Sequence, residues 1–361
     1  VQCKALQQKE EWKGERQERL RVPMNPDLIK AFFASLKFTP TDSQKISIYE
    51  ILKDMEEDRS MSRLLEGDVG SGKTLVATAV MANAMASGGQ CALMVPTEVL
   101  ARQHVQSIGS MLINFHNFRI ANEEGLSSSR VPRVALLTGS VTKKQSQEIK
   151  DKLAAGEIDL VIGTHALIED SVEFKNLTLV IVDEQHRFGV VQRNRLKEKG
   201  SPHFLAMTAT PIPRTLALTA FGHHDLSVLM EKPGNRQSID TKVVAPKDRK
   251  TVEGFIEHQI QEGRQVFVIC PLIQASESEE MLEIRSVKEE HARLTVGFPT
   301  RSIALLHGKM TPVDKEETMR AFKNREYDIL VSTSVIEVGI DVPNATIMVM
   351  EGSERFGLAQ L

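Results

Sequence analysis

A series of short, almost unbroken apolar runs limits the folds open to this chain. They lie at 91–95 (CALMV), 134–137 (VALL), 159–162 (DLVI), 177–182 (LTLVIV) and 203–207 (HFLAM). A strand with one wet face alternates apolar and polar residues. A run that is apolar throughout is buried on both faces, as in a parallel sheet covered by helices. Longer helical patterns separate several of the runs, for example 73–86 and 97–112, so the order reads as α/β with helices on both faces. The series then starts again at 265–270 (QVFVIC), 303–306 (IALL), 328–332 (DILVS) and 346–350 (TIMVM). Between the two series, Lys232-Pro233-Gly234-Asn235 is a turn-rich break. The expected organisation is a connecting segment over 1–35, a first domain over 36–232 and a second over 233–361. Residues 4–21 read as a solvated helix or linker. Leu28, Ile29, Phe32, Phe33 and Leu36 then fall at roughly helical spacing. The split agrees with an internal repeat. Glu157-Ile158-Asp159-Leu160-Val161 with Thr164 parallels Glu326-Tyr327-Asp328-Ile329-Leu330 with Thr333, and Asn176-Leu177-Thr178 parallels Asn344-Ala345-Thr346.

Between the apolar segment Arg63-Leu64-Leu65 and the helix-forming run from Leu75 lies Gly67-Asp68-Val69-Gly70-Ser71-Gly72-Lys73-Thr74. This is G-x-x-x-x-G-K-[ST] in its strand–loop–helix setting. Glycines let backbone N–H groups curl around phosphate oxygens, and the helix N-terminus adds positive potential. Lys73 would neutralise β/γ-phosphates and the Thr74 hydroxyl would hold Mg²⁺. Such a loop needs an acidic partner at a strand end. Asp183-Glu184-Gln185-His186 follows the strand Leu177 to Val182 directly. Asp183 would bind Mg²⁺ through water, and Glu184 would act as general base on the attacking water. ATP and Mg²⁺ are the expected cofactors, with Lys73, Asp183 and Glu184 catalytic. The expected role of His186 is to relay the nucleotide state to neighbouring segments.

Further segments narrow the class. Phe38-Thr39-Pro40-Thr41-Asp42-Ser43-Gln44 resembles the adenine-reading Q motif of superfamily 2 helicases, with Gln44 supplying an amide for the adenine edge. Pro96-Thr97-Glu98-Val99-Leu100-Ala101-Arg102-Gln103, Thr138-Gly139-Ser140 and Gly163-Thr164-His165 each follow a strand. Met207-Thr208-Ala209-Thr210-Pro211 resembles motif III of the same superfamily. His307-Gly308-Lys309-Met310 and Thr333-Ser334-Val335-Ile336-Glu337-Val338-Gly339-Ile340-Asp341 complete the series. Hydroxyls and backbone amides at strand ends suit sequence-independent phosphate contacts. Pro96, Thr97, Arg102, Thr138, Gly139, Thr164, His165, His307 and Thr333 are therefore the expected DNA-contacting residues. Thr208 and Thr210 are expected to couple the sites, and Gly339 and Asp341 to close over the nucleotide from the second domain.

Finer matches lie at Asp183 to Val190, at Thr208 to Ala217 and at Glu354 to Leu361. With the phosphate loop, they resemble the RecG family of bacterial branch-migrating DNA helicases. Gln185-His186 favours that family over the transcription-repair coupling factors, which with the replication-restart helicases are the alternative translocases. The resemblance covers about 36–361. It implies two tandem RecA-like P-loop domains, α/β with parallel sheets, the second incomplete. It also implies ATP-driven translocation on duplex DNA, Holliday-junction branch migration and fork regression. Relative to the family, a β-rich N-terminal wedge domain and the arginine-rich motif VI are missing, and Arg355 is not assigned the finger role. Arginine fingers contribute about 10³–10⁵ in rate. The expectation for the chain as it stands is thus a helicase-core fragment that binds ATP and DNA with little turnover.

The formal net charge of -3 places any DNA-gripping basic surface locally rather than in bulk charge. Cys3, Cys91 and Cys270 form neither a disulfide framework nor a CxxC pair, which favours a reducing compartment. No apolar stretch reaches the ~20 residues of a membrane helix, and the charged start is no signal peptide. These readings set the expectation of a cytoplasmic, nucleoid-associated monomer. The charged stretch 274–297 reads as a solvated helix, 122–130 as a polar loop, and Cys91 and Cys270 as core residues.

Overall fold

The computed structural model describes residues 21–122, 130–184, 201–209, 225–231, 239–270, 277–333 and 342–353, with the backbone alone for 246, 277–286 and 312. The chain divides into two compact units, Val1–Arg236 and Gln237–Leu361.

In the first unit, helix α1 (Pro26–Ala34) begins at Asn25, whose side chain accepts the Leu28 N–H. Pro26 sits in the first turn, where a missing donor costs nothing. The helix buries Leu28 and Phe32, and Phe32 meets Phe115 edge-on with ring centroids 5.3 Å apart. Asn83 fixes the incoming chain, accepting from Asn25 N (3.0 Å) and donating to the Pro23 carbonyl (3.0 Å). Helix α2 (Asp42–Met55) opens with a capping box between Thr41 and Gln44. Then follow β1 (Ser62–Gly67), α3 (Lys73–Ala86), β2 (Gln90–Met94), α4 (Glu98–Asn122), β3 (Val134–Leu137), α5 (Lys143–Ala155), β4 (Leu160–Gly163), β5 (Leu177–Val182), β6 (His203–Thr208) and β7 (Asp225–Leu229). The strands form one sheet in the order β3-β4-β2-β5-β6-β1-β7, with every pair parallel. Helix α3 is buried on all sides from Leu75 to Ala84, and its two polar residues there are bonded, Thr78 to the Thr74 carbonyl and Asn83 to the incoming chain.

β7 is the strand that the apolar-run criterion passes over. It is an edge strand with a mixed exposure pattern, so DLSVL shows no continuous run. Buried Arg63 fastens it: Nη1 donates to Ser227 Oγ (2.8 Å), and Nη2 pairs with Asp54 of α2 (2.7 Å).

The second unit holds α6 (Arg249–Gln261), β8 (Gln265–Cys270), α7 (Glu277–Gly297), β9 (Ile303–Leu306), α8 (Pro312–Lys323), β10 (Ile329–Thr333) and β11 (Ala345–Met350). Its parallel sheet runs β11-β8-β10-β9. One face carries Ile256, Ile260, Val268, Val287 and Leu294, the other Phe267, Ile269, Phe322 and Leu330. Helix α7 differs from the solvated helix expected from its charge, because Val287 and Leu294 belong to that core. Among its described side chains Val287 and Leu294, seven apart, reach that core, although the surrounding sequence is charged. Cys91 and Cys270 are buried thiols, and burial pushes Cys270 up to about 12.

The repeat is built into the hydrogen bonding. Gln90, first in β2, donates from Nε2 to the carbonyls of Leu153 (3.0 Å) and Ile158 (2.8 Å) and accepts the Asn176 N–H (2.9 Å). Gln265, first in β8, donates from Nε2 to the carbonyls of Phe322 (2.6 Å) and Tyr327 (2.7 Å) and accepts from Asn344 Nδ2 (3.2 Å). Asn176 and Asn344 each donate to a turn glycine carbonyl, Gly88 (3.1 Å) and Gly263 (2.8 Å). Asp159 accepts from Arg133 N (2.7 Å) as Asp328 does from Ser302 N (2.9 Å). Each unit thus carries the same Gln–Asn–Asp clamp across the amino ends of its strands.

Candidate functional site

All the described strand-end segments singled out in the first unit emerge at the carboxyl edge of its parallel sheet, where α/β folds bind ligands. The phosphate loop leaves β1, Asp183 leaves β5, and β6 lies between them with Thr208 opposite Glu66.

The loop turns on Gly70 (φ 76°) and Gly72 (φ 89°), and Gly72 caps α3 with no side-chain bond, leaving that helix N-terminus open toward the loop. A Cβ on Gly72 would collide with Gln44 Nε2, so glycine is required there by both conformation and space. Lys73 Nζ folds back across the loop to the carbonyls of Gly67 (2.6 Å) and Asp68 (3.1 Å). Burial pushes its ammonium below the ordinary lysine value, against the pull of Asp183, Glu184 and Asp68. Lys73 and the two strand-end acids therefore share one electrostatic site. The buried Ser71 hydroxyl has no partner among the described residues.

Gln44, expected at an adenine edge, spends its amide within the protein. Oε1 accepts the Thr41 N–H (2.9 Å) and Nε2 donates to the Ser71 carbonyl (2.7 Å). It is 2% exposed, whereas Phe38 is 58% exposed and free to stack. Each end of the amide keeps one further valence, a second Nε2 hydrogen and a second Oε1 lone pair, for a base edge.

Asp183 is 9% exposed, and its Oδ1 accepts the N–H of Glu184 (3.0 Å). Glu184 has φ 50°, a left-handed conformation uncommon for a side-chain-bearing residue and frequent at functional turns. His104 Nε2 lies 3.2 Å from Asp183 Oδ2. His104 was not among the residues selected from sequence. Its available signal was a lone histidine on the buried stripe of Leu100, Ala101 and Ile108.

The residues expected to touch DNA fall into two groups. In the first unit, Pro96 and Thr97 precede α4, and Arg102 Nη2 donates to Glu98 Oε1 (2.8 Å) and to Ser140 Oγ (3.4 Å). Ser140 also donates to Glu98, so one carboxylate joins the segments after β2 and β3. Thr138 Oγ1 pairs with Ser140 Oγ (3.2 Å), Gly139 is exposed, Thr164 is buried and His165 is exposed. Gly163 must stay glycine because a Cβ there would run into the Leu137 carbonyl. In the second unit, His307 follows β9 and Thr333 ends the neighbouring β10, each with a buried polar atom that lacks a partner among the described residues. Burial, with Lys288 and Lys315, holds His307 below the ordinary histidine value. His186, Thr210, Gly339 and Asp341 lie outside the described residues.

The donor set fits a nucleotide with its metal: an open helix N-terminus, a cation, the Thr74 hydroxyl and one strand-end aspartate. Mg²⁺ at such sites takes only one or two protein oxygens and fills its octahedron with water and phosphate. No cluster of three His, Cys, Asp or Glu side chains able to hold a metal by itself occurs among the described residues. No described helix is long and apolar enough to cross a membrane.

Comparison with known proteins gives a consistent picture. Residues 41–219 match the DEAD/DEAH box helicase family, and residues 248–360 match the helicase conserved C-terminal domain. The chain is 48% identical over 335 residues to the ATP-dependent DNA helicase RecG of Streptococcus pneumoniae, covering 92% of this chain and 47% of that protein. It is 46% identical over 353 residues to RecG of Bacillus subtilis, covering 97% of this chain and 49% of that protein. It thus spans about half the length of these curated relatives. Among solved structures, RecG bound to a three-way DNA junction superposes with TM-score 0.79 at 37% identity, covering 100% of this chain and 45% of that one. The helicase MrfA bound to DNA and AMPPNP shares the fold, with TM-score 0.63 at 16% identity, 96% of this chain and 50% of that chain being covered.

Proposed function

The chain belongs to the RecG helicase family, with two RecA-like domains, and from that premise we propose that it is the ATP-driven motor of a DNA translocase. The observation that carries the proposal is the meeting of Lys73, Asp183 and Glu184 in one electrostatic site beside an open helix N-terminus.

Backbone N–H groups of the phosphate loop and the start of α3 receive the triphosphate. Lys73 exchanges the carbonyls of Gly67 and Asp68 for β/γ-phosphate oxygens, which stabilise its charge in place of water. Phe38 stacks on the base, and Gln44 tethers the loop at Ser71. Thr74 and, through water, Asp183 would hold Mg²⁺, which would neutralise charge on the phosphates when bound. Glu184 takes a proton from the water that attacks the γ-phosphorus, as the bond to the ADP oxygen breaks. Pro96, Thr97, Arg102, Thr138, Gly139, Thr164 and His165 contact the DNA backbone from the first unit, and His307 and Thr333 from the second. Such contacts position a strand without reading its sequence. In the whole protein the motor drives duplex translocation, Holliday-junction branch migration and fork regression. It works as a cytoplasmic, nucleoid-associated monomer.

Lys73→Ala and Glu184→Gln test the assignment. Fluorescent mant-ATP binding should disappear in Lys73→Ala and persist in Glu184→Gln. In a full-length background, DNA-stimulated phosphate release should fall in Glu184→Gln by about 10²–10⁴. Wild-type behaviour of both variants would remove the enzyme reading.

A further inference from the structure

We propose that His104 is a positioning residue for the Asp183 carboxylate, through which helix α4 sets the metal-holding geometry. The inference rests on the nucleotide reading above and assigns a residue outside its motifs. His104 is 7% exposed on the buried face of α4, among Leu100, Ala101, Ile108 and Leu112. An imidazole on such a face loses its hydration and needs a reason to be there. Its one partner among the described residues is Asp183 Oδ2, at 3.2 Å and 79 residues away in sequence. An ionised carboxylate only accepts, so Nε2 carries the hydrogen and donates. Nδ1 is buried with no partner among the described residues. A histidine kept for core packing alone gains nothing from burying that atom. A histidine kept to orient Asp183 accounts for Nε2 and tolerates a bare Nδ1 to keep that bond.

The geometry at Asp183 supports this role. Oδ2 is held by His104, and Oδ1 is held by the N–H of Glu184 at 3.0 Å. Two donors from two directions fix the carboxylate plane, and each oxygen keeps a lone pair for a metal-bound water or the metal itself. Outer donors of this kind orient metal-holding carboxylates, and their loss costs about 10–100-fold in metal affinity. The donor rides on α4, the helix that starts one residue after Thr97 and carries Arg102. The bond therefore joins the expected DNA-contacting segment to the expected metal-holding residue.

The test titrates MgCl₂ into the full chain with mant-ATP and reads nucleotide fluorescence rather than turnover. His104→Leu should raise the Mg²⁺ concentration for half-maximal enhancement by about 10–100-fold, with binding in EDTA unchanged. His104→Gln, whose amide N–H can reach the place of Nε2, should restore the wild-type midpoint to within about threefold. In an Asp183→Asn background, His104→Leu should add no further shift, because the two side chains act as one unit. A wild-type Mg²⁺ midpoint in folded His104→Leu overturns the proposal, as do additive effects in the double variant. If His104→Leu does not fold, His104→Gln decides alone: a shift as large as that of Asp183→Asn overturns the proposal, and a midpoint near wild type supports it. Lys73→Ala separates the two readings. If it binds mant-ATP normally, the nucleotide assignment itself falls. If it loses binding while His104→Leu keeps its Mg²⁺ midpoint, only the role of His104 falls.

Discussion

Gln44 illustrates how much one side chain can decide. The sequence marks it as an amide ahead of a phosphate loop, and its place there was legible from spacing alone. Its bonds were not, because the Ser71 carbonyl it holds lies 27 residues away. Gln44→Leu removes both bonds and leaves the Ser71 carbonyl and the Thr41 N–H without their partner. We expect about 1–3 kcal/mol loss of stability for such unsatisfied groups, seen as a lower urea midpoint, together with weaker mant-ATP binding. His307 gives a pH signature. Its folded value lies below the ordinary one, through burial first and then Lys288 and Lys315. The unfolded chain therefore takes up a proton first as pH falls. The stability that His307 contributes is complete above about pH 6.5, its ordinary value, and is lost as pH drops through the folded value. Urea midpoints from pH 8 to pH 5 should fall less steeply in His307→Gln than in wild type.

At the level of elements, the sheet interior was readable because parallel strands buried on both faces leave continuous apolar runs. β2, β5 and β8 are buried throughout. β7 escaped because it is an edge, and the seating of α7 escaped because Val287 and Leu294 stand in a charged sequence. The clamps escaped for another reason: the repeat showed Asn176 and Asn344, but a glutamine at the head of a strand carries no local signal of a bond 63 residues away. Replacing Gln90 or Gln265 by Leu removes a donor from two backbone carbonyls in each case, of which Leu153 O and Phe322 O keep the N–H groups of Gly156 and Arg325. Each substitution should cost roughly 1–3 kcal/mol, mainly for the carbonyl of Ile158 or Tyr327, measured as a shift in urea midpoint. Asn176→Ala should cost less, since it loses a bond to an exposed turn carbonyl, whereas Asn344→Ala also gives up its bond to Gln265 Oε1.

For the molecule as a whole, the two units each own a core and a clamp, and the phosphate loop belongs to the first. Scanning calorimetry of the full chain should therefore resolve two unfolding transitions. ATP with Mg²⁺ should raise the one that Gln90→Leu lowers, by about 2.7 kcal/mol at a hundredfold excess over Kd. The transition lowered by Gln265→Leu should move little. A single transition that both substitutions lower equally would show one cooperative unit instead.

The clamps and the proposed chemistry stand at opposite edges of the same parallel sheets. Gln90 and Gln265 begin β2 and β8, whereas the phosphate loop, Asp183 and Thr333 end β1, β5 and β10. That polarity gives an evolving lineage two nearly separate ledgers. Drift at the trailing rim that spares Gly163 and the Gln44 tether can retune the proposed nucleotide site at little cost to the fold. Drift at the leading rim acts on the fold first.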